Sequence, residues 1–378
     1  MKQEQFLRVV SRAEAEERWR AAVDFAPLGA EICALAQALG RVLAEEVRAP
    51  VDVPGFTRAN MDGSAVRAAD TFGAAEEAPR RLRLGADTVT PGVVPQGEVT
   101  PGTATPIATG AIVPRGADAV VMIEDTDPGP EGLEVRRAVA PGANLAHAGS
   151  DIARGETVLR PGDVCSSRET GLLAALGVAT VEVVRRPRVV LFSTGDEILA
   201  PGDEMREGMV YDSNQRILAD AVREAGGEPD ERGIVRDDEA ALRRRLDEAL
   251  AEADLVLFSG GTSKGAGDLS YRILAERGTI TVHGVALKPG KPVVLAVAED
   301  TPVVILPGFP TSAIFTFHEF VAPWIRARAG LPADPVRTVE AVLPRTVTSA
   351  RGRTEYDLVH LVSGADGLVA YPLGKGSG

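Results

Sequence analysis

Between Arg188 and Gly330 short apolar runs alternate with helix-patterned segments, and no other stretch of this 378-residue chain limits its folding so tightly. VVLFSTG, DLVLFSGG and VVILPG read as buried strands, whereas NQRILADAVREAG, EAALRRRLDEALAEA and the segment from about Pro310 to Arg328 carry the apolar period of helices. Strand–helix alternation of this kind predicts a parallel α/β sheet with right-handed crossovers. Ligands of open α/β sheets bind outside the carboxyl ends of the strands. The informative places are therefore STGDE at Ser193–Glu197, SGGTSKGAGD at Ser259–Asp268 and LPGFPTS at Leu306–Ser312, each of which follows an apolar strand.

The rest of the chain reads differently. Ser11 followed by Glu14 predicts a capping box opening a helix through about Phe25, and a second helix is expected to stop at Gly40. From Arg48 to Gly149 short β-type runs are broken by Pro and Gly, as in RAPVDVPGF and DAVVMIE, which predicts a β-rich module. Ser166 or Ser167 should cap a helix, ETGLLAALG, that closes at Gly177, packs back on the first helices and leads into the strand VATVEVV. After Leu331 the segments VRTVEAVLP and EYDLVHLV are again β-type, and a module of about forty-five residues is thin enough to be expected incomplete.

Composition removes several classes of function. With 44% hydrophobic and 25% charged residues the chain has the profile of a folded globular protein. No leader-like apolar core and no run of about 18 apolar residues occurs, so export and membrane insertion are not expected. Cys33 and Cys165 are too few for a disulfide framework, which points to a reducing compartment, the cytoplasm. A net charge of -13 disfavours nucleic acid and anionic lipid as partners, so an anionic ligand must meet a local basic pocket.

The strand-end segments carry residue types suited to phosphate chemistry. Glycines of SGGTSKGAGD would let backbone N–H groups close around a phosphate where a helix begins, although the Walker spacing is absent and a flexible strand-to-helix turn is the alternative. Asp196, Glu197, Asp237, Asp238 and Asp268 could converge, and carboxylates beside phosphate imply Mg²⁺ as a bridge; helix capping and solvation are the plainer roles for each acid singly. LKPGKPV sets Lys288 and Lys291 around a Pro-Gly turn, where both ammonium groups could meet one anion or simply decorate a surface hairpin. LPGFPTS makes a rigid rim with one hydroxyl, Ser312, before a helix. DVPGFTRANMDGSAV, with Asp62, takes no chemistry from its composition alone.

In order along the chain, DVPGF with NMDG, the TGA within Ile107–Ala111, STGDE, GGTS with GD, KPGKP and LPG-x-P resemble the molybdopterin molybdenumtransferase family, MoeA and the gephyrin E domain. The likeness spans nearly the whole chain, and its specificity lies in the ordered set. It implies a multidomain α/β fold: an elongated L-shaped subunit with a helical segment, an inserted β-rich module, a three-layer α/β MogA-like catalytic domain and a C-terminal β domain. The boundaries so implied are 1–47 with 150–184, 48–149, 185–330 and 331–378. The implied reaction takes adenylylated molybdopterin and molybdate, uses Mg²⁺, and yields molybdenum cofactor and AMP. Partners implied are a second copy of the chain as homodimer and the adenylyltransferase that supplies the substrate.

Carried over position by position, the resemblance implies catalytic roles for Asp62, Thr109, Glu197, Asp237 in preference to Asp238, and Asp268. Substrate contacts would come from Ser193, Thr194, Gly195, Asp212, Asn214, Gly260, Gly261, Thr262, Pro307 and Pro310. Molybdate, a tetrahedral dianion, would be held by Lys288, Lys291, Ser312, Arg353 and Ser377. Asp196, Glu197, Asp237 and Asp268 would hold or orient Mg²⁺. Four departures stand out: Ser64 where an aromatic usually follows MDG, Phe309 where asparagine is common, Lys264 in the glycine loop, and the early end of the last module. Two other functions compete. A molybdopterin adenylyltransferase shares the SGGT loop but lacks the flanking modules and KPGKP. A non-catalytic gephyrin-type scaffold shares the fold, and fold alone does not decide function.

Overall fold

A computed structural model describes residues 9–260, 266–334, 337–349, 351–365 and 367–373, without the side chains of 266–268. The chain divides into two compact units: Met1–Cys33, Gly40–Ala44 and Glu182–Gly378 form one, and Ala34–Leu39 with Glu45–Val181 the other.

The α/β part of the first unit runs β1 (Arg188–Thr194), α1 (Ser213–Glu224), β2 (Glu228–Val235), α2 (Glu239–Leu250), β3 (Leu255–Gly260), α3 (Ala266–Arg277), β4 (Gly278–His283), β5 (Val294–Ala298), β6 (Thr301–Leu306) and α4 (Pro310–Thr316). The sheet order is β2-β1-β3-β6-β5-β4. Alternation along the strands serves two cores. Val189, Leu191, Leu255, Leu257, Val304 and Leu306 pack with Leu218 and Val222 of α1 and with Phe317 and Ile325. Val190, Phe192, Val256, Phe258, Val303 and Ile305 pack with Leu242 and Leu246 of α2 and Ile273 and Leu274 of α3. Burial on both faces explains why these strands are continuously apolar, and it yields the three layers expected.

The sheet is parallel across β2, β1, β3 and β6, but β5 is antiparallel to β6 and β4 to β5. The all-parallel expectation fails at the hairpin VVLAVAEDTPVVIL. Its two turn residues, Glu299 and Asp300, have φ of 49° and 66°, the left-handed pair of a type I′ turn. Without Asn-Gly or Asp-Gly there, the turn has no sequence signature.

Ser11 caps the helix Arg12–Ala22, its hydroxyl accepting from the Glu14 N–H at 3.2 Å. The helix buries Ala15 and Trp19 in the first core, with the Trp19 indole N–H donating to the Phe320 carbonyl at 3.1 Å. The helix expected to end at Gly40 is instead a strand, Ala30–Ala34, and a 3₁₀ turn, Leu35–Gln37. Pairing with the strand Thr180–Val184 overrides local helix propensity, as the bonds Arg185 N–H to Gly29 O and Leu35 N–H to Ala179 O mark at its two ends. In the second unit Ser166, not Ser167, is the cap of Ser167–Ala175, with Glu169 completing the box. That helix packs on the Leu35–Gln37 turn rather than on a first helix.

The β-rich reading of Arg48–Gly149 holds. Six strands are ordered Ala119–Met122, Gly63–Val66, Thr103–Ile107, Arg80–Leu84, Gly132–Val135 and Thr126–Gly129, with buried residues on both faces. Toward the end of the chain, Thr354–Glu355 pairs in parallel with Leu287–Lys288, and Val359–Gly364 forms a hairpin with Gly367–Pro372. Among its described residues, VRTVEAVLP contributes only a bridge from Val342 to Val369.

Asp254 ties β1 to β3 at the sheet edge opposite the strand ends that carry the site. Its carboxylate accepts two bonds from the Arg185 guanidinium, at 2.8 and 2.7 Å, and one from the Arg188 N–H at 2.7 Å. Burial alone would raise its pKa, but the Arg185 and Arg188 bonds outweigh it and hold the carboxyl below its ordinary value. A depressed folded pKa contributes stability that is present above the unfolded value, roughly pH 4, and lost as pH falls through the folded one. Asp254→Asn should therefore cost about 1–2 kcal/mol in urea unfolding at neutral pH, discounting for the half-exposed arginine. The gap from wild type should narrow below about pH 4; a gap independent of pH would show that the charge of Asp254 plays no part.

Candidate active site

The three central strands finish together. Ser193 is in register with Ser259 and Thr194 with Gly260, while Ser259 faces Leu306. Gly260 has φ +95°, and a Cβ there would lie 2.5 Å from the Thr194 carbonyl oxygen, so only glycine lets β1 and β3 end this close. Beyond these ends opens a cleft of ≈ 530 Å³ lined by Thr194, Glu197, Ile198, Val210, Tyr211, Asp212, Ser213, Asn214, Ser259, Gly260, Gly308, Phe309 and Pro310. Of the substrate contacts expected from the sequence, Thr194, Asp212, Asn214, Gly260 and Pro310 are here. Ser193, Gly195 and Pro307 are buried beside it without lining it.

Asn214 staples this region. Its buried amide donates to the Ser259 hydroxyl and to the Gly308 carbonyl, both at 2.8 Å, so the start of α1, the end of β3 and the loop after β6 are held together. Asp212 caps α1 by accepting from the Gln215 N–H at 3.0 Å. Four of the six buried side-chain polar atoms without a partner among the described residues are Ser193 Oγ, Thr194 Oγ1, Asn214 Oδ1 and Asp237 Oδ1. Orphaned buried polar atoms are costly, and those of Ser193, Thr194 and Asn214 gather where the strands end.

Beside the cleft stands an acidic group. The Asp237 N–H donates to the Asp196 carboxylate at 3.4 Å, and Arg236 reaches the same carboxylate at 3.8 Å across exposed surface. The Asp237 carboxyl is pushed up first by burial and then by the charges of Asp196 and Glu197. Asp238 is occupied otherwise, capping α2 by accepting from the Ala241 N–H at 2.7 Å. Among the described residues no three acidic, His or Cys side chains close into a ready cage for a metal. The donor set nonetheless suits Mg²⁺, which keeps several waters and takes one or two carboxylates.

The anion-binding candidates form a separate group in the same compact unit. Lys288 and Lys291 flank the Pro289-Gly290 turn, which lies against α4: a Cβ on Gly290 would be 2.4 Å from the Thr316 methyl and 3.8 Å from the Ser312 carbonyl oxygen. The Lys288 ammonium meets the Glu355 carboxylate at 2.6 Å, and Arg353, exposed, precedes the paired Thr354. Gly261, Thr262, Lys264, the Asp268 side chain and Ser377 lie outside the described residues.

In the second unit Asp62 and Thr109 meet. One Asp62 oxygen accepts from the Thr109 N–H at 2.7 Å and its hydroxyl at 2.9 Å, and these bonds, the backbone one first, lower the pKa of the carboxyl. The two loops are clamped by Ala59 N–H to Ala111 O and Gly110 N–H to Ala59 O. Gly63 is obligatory, since a Cβ would fall 1.9 Å from the Val121 carbonyl oxygen. Ser64, the departure after MDG, is buried in the sheet, whereas Phe309, the departure in LPG-x-P, is 62% exposed on the cleft rim. Sequence reasoning missed Ile198, Val210 and Tyr211 as cleft walls; the strand pairing of Ile198–Leu199 with Val210–Tyr211 places them, and an aromatic in the polar run MVYDSN was the only hint.

With this geometry, the comparisons with known proteins agree. Residues 10–177 match the family described as "MoeA N-terminal region (domain I and II)" and residues 191–327 the one described as "Probable molybdopterin binding domain". The chain is therefore a multidomain α/β protein with a molybdopterin-binding type of catalytic fold. It is 39% identical over 346 residues to the protein named molybdopterin molybdenumtransferase 2 of Mycobacterium tuberculosis, covering 89% of this chain and 84% of that one. It is 35% identical over 354 residues to the molybdopterin molybdenumtransferase of a Nostoc species, covering 92% and 80%. The solved molybdopterin biosynthesis MoeA protein of Pyrococcus horikosii is similar across 98% of this chain and 91% of its own, with TM-score 0.80 and 36% identity. The chain belongs to the MoeA family.

The two adjacent aspartates are separable by experiment. Asp238→Ala should lower stability by about 1 kcal/mol through loss of the α2 cap. Asp237→Ala should not destabilise, because it removes a half-buried carboxyl held among like charges. Thermal melts of the two variants check this, and a larger loss for Asp237→Ala would mean that its carboxylate has a structural partner.

Proposed function

We propose that this protein is a molybdopterin molybdenumtransferase, which takes adenylylated molybdopterin and molybdate and releases molybdenum cofactor and AMP. The observation that carries the reading is the set of unpartnered buried polar atoms at the strand ends, beside a carboxyl raised by burial and by its acidic neighbours.

Gly260, with Gly261 and Thr262 as the resemblance implies, would receive the phosphate groups, and Thr194 and Asn214 would bond the ligand's polar edge. Asp196, Glu197 and Asp237, with Asp268 as the resemblance implies, would hold Mg²⁺, whose charge offsets that of the diphosphate during its cleavage. Lys288, Lys291, Ser312, Arg353 and Ser377 would hold molybdate by charge-assisted bonds. Asp62, fixed and kept ionised by Thr109, belongs to the site if two copies of the chain form a homodimer, one supplying this loop to the cleft of the other. The substrate would come from an adenylyltransferase, in the cytoplasm. Cys33 and Cys165, which form no disulfide, fit that compartment, and among the described residues no helix is long and apolar enough to cross a membrane.

Incubating the protein with adenylylated molybdopterin, Mg²⁺ and molybdate should release AMP only when molybdate is present, and the product should reconstitute an apo-molybdoenzyme. Asp62→Ala and Glu197→Ala should keep the wild-type fold and lose at least about a hundredfold in AMP release, the scale of removing a positioned polar group from a reacting site. Ligand binding without AMP in the wild type would favour a scaffold. Full activity in both variants would overturn the site assignment.

A further inference from the structure

The reading above assigns Lys288 to an oxyanion and leaves Glu355 without a role. Lysine is a poor fixed ligand by itself, because its four-carbon stem is flexible and its ammonium is strongly hydrated. Here the ammonium is anchored. Lys288 and Glu355 are paired in register between two short parallel strands, and Nζ donates to Oε1 at 2.6 Å. The segment bearing Glu355 is pinned on both sides, by Thr354 N–H to Ala286 O and Tyr356 N–H to Lys288 O, each 2.8 Å. Tyr356 is held in turn by stacking on Phe315 at 5.3 Å and by its hydroxyl bond to Glu319.

The burial of the pair gives it a direction. The Glu355 side chain is 4% exposed and that of Lys288 41% exposed. An anion arriving from solvent therefore meets the ammonium, with the carboxylate behind it. An ammonium has three donors. One is spent on Glu355, and two remain for an anion. A carboxylate that orients a ligating side chain from behind is the arrangement by which histidine ligands of metals are positioned.

We propose that Glu355 is a positioning residue for oxyanion binding, acting through Lys288 and not by touching the anion; this rests on the transferase reading, which assigns Lys288 to molybdate. Two opposed effects bear on it. The negative charge of Glu355 repels an incoming dianion, while its bond fixes the donor that the dianion needs. Because the ammonium stands between the carboxylate and solvent, the repulsion acts across a longer distance than the donor's contact with the anion.

The test is isothermal titration of molybdate into the full-length protein, alongside the molybdate dependence of AMP release. Glu355→Gln should weaken molybdate binding, and raise its half-saturation in the assay, by about tenfold, the scale of a lost charge-assisted bond. Half-saturation for adenylylated molybdopterin and kcat at saturating molybdate should stay as in wild type. Lys288→Met should weaken molybdate likewise, and adding Glu355→Gln to it should weaken it no further. Glu355→Asp, which keeps the charge and shortens the reach, should fall between, and serves if the glutamine variant does not fold. Unchanged or tighter binding in Glu355→Gln, or a further loss in the Lys288→Met background, would overturn the inference. Wild-type protein that shows the predicted binding pattern but releases no AMP would instead sink the transferase reading and leave the pair standing.

Discussion

The site depends on the parallel pairing that ends β1 and β3 side by side. Because Thr194 and Gly260 are in register, and because Gly260 has no Cβ to strike the Thr194 carbonyl, two adjacent strand ends approach closely enough to share one ligand surface. Asn214 then fixes what lies around them, bonding Ser259 and Gly308 from the first turn of α1. The apolar faces behind these ends, with Phe192 and Phe258 in edge contact at 4.3 Å between ring centres, make the platform rigid.

An acidic chain that handles anions must separate its charges locally. The net charge of -13 repels anionic partners at long range. Within the first unit, though, Asp196, Glu197 and Asp237 gather beside the cleft, while Lys288 and Lys291 flank a turn packed on α4. In the proposed reaction such a division would let a cation offset one anion and ammonium groups receive the other.

Much of this was legible in the sequence, for stated reasons. Strands buried on both faces are continuous apolar runs, so β1, β3 and β6 could be read directly, and the glycine and hydroxyl residues after them marked the strand ends where the candidate cleft opens. Caps at Ser11 and Ser166 were likewise visible, because side-chain bonding at helix starts is local, although the reciprocal box expected at Ser11–Glu14 is seen at Ser166–Glu169. What failed was non-local. The strand Ala30–Ala34 is selected by a partner about 150 residues away in sequence, against the helix propensity of its own residues. The β5–β6 hairpin turns on Glu299 and Asp300, of which only Asp300 is a turn-forming type and no glycine supplies the left-handed φ. Asp62 was silent in composition because its hydrogen-bond partner, Thr109, lies forty-seven positions on, and Glu355 because its partner is brought by strand pairing.

The most direct measurement is a crystal structure of the protein soaked with adenylylated molybdopterin. The account predicts ligand polar atoms within hydrogen-bond reach of Thr194 Oγ1 and Asn214 Oδ1, phosphate groups against Gly260, and ligand atoms in contact with Phe309 at the rim. A ligand seated away from these strand ends, with both side-chain oxygens still unpartnered, would contradict it.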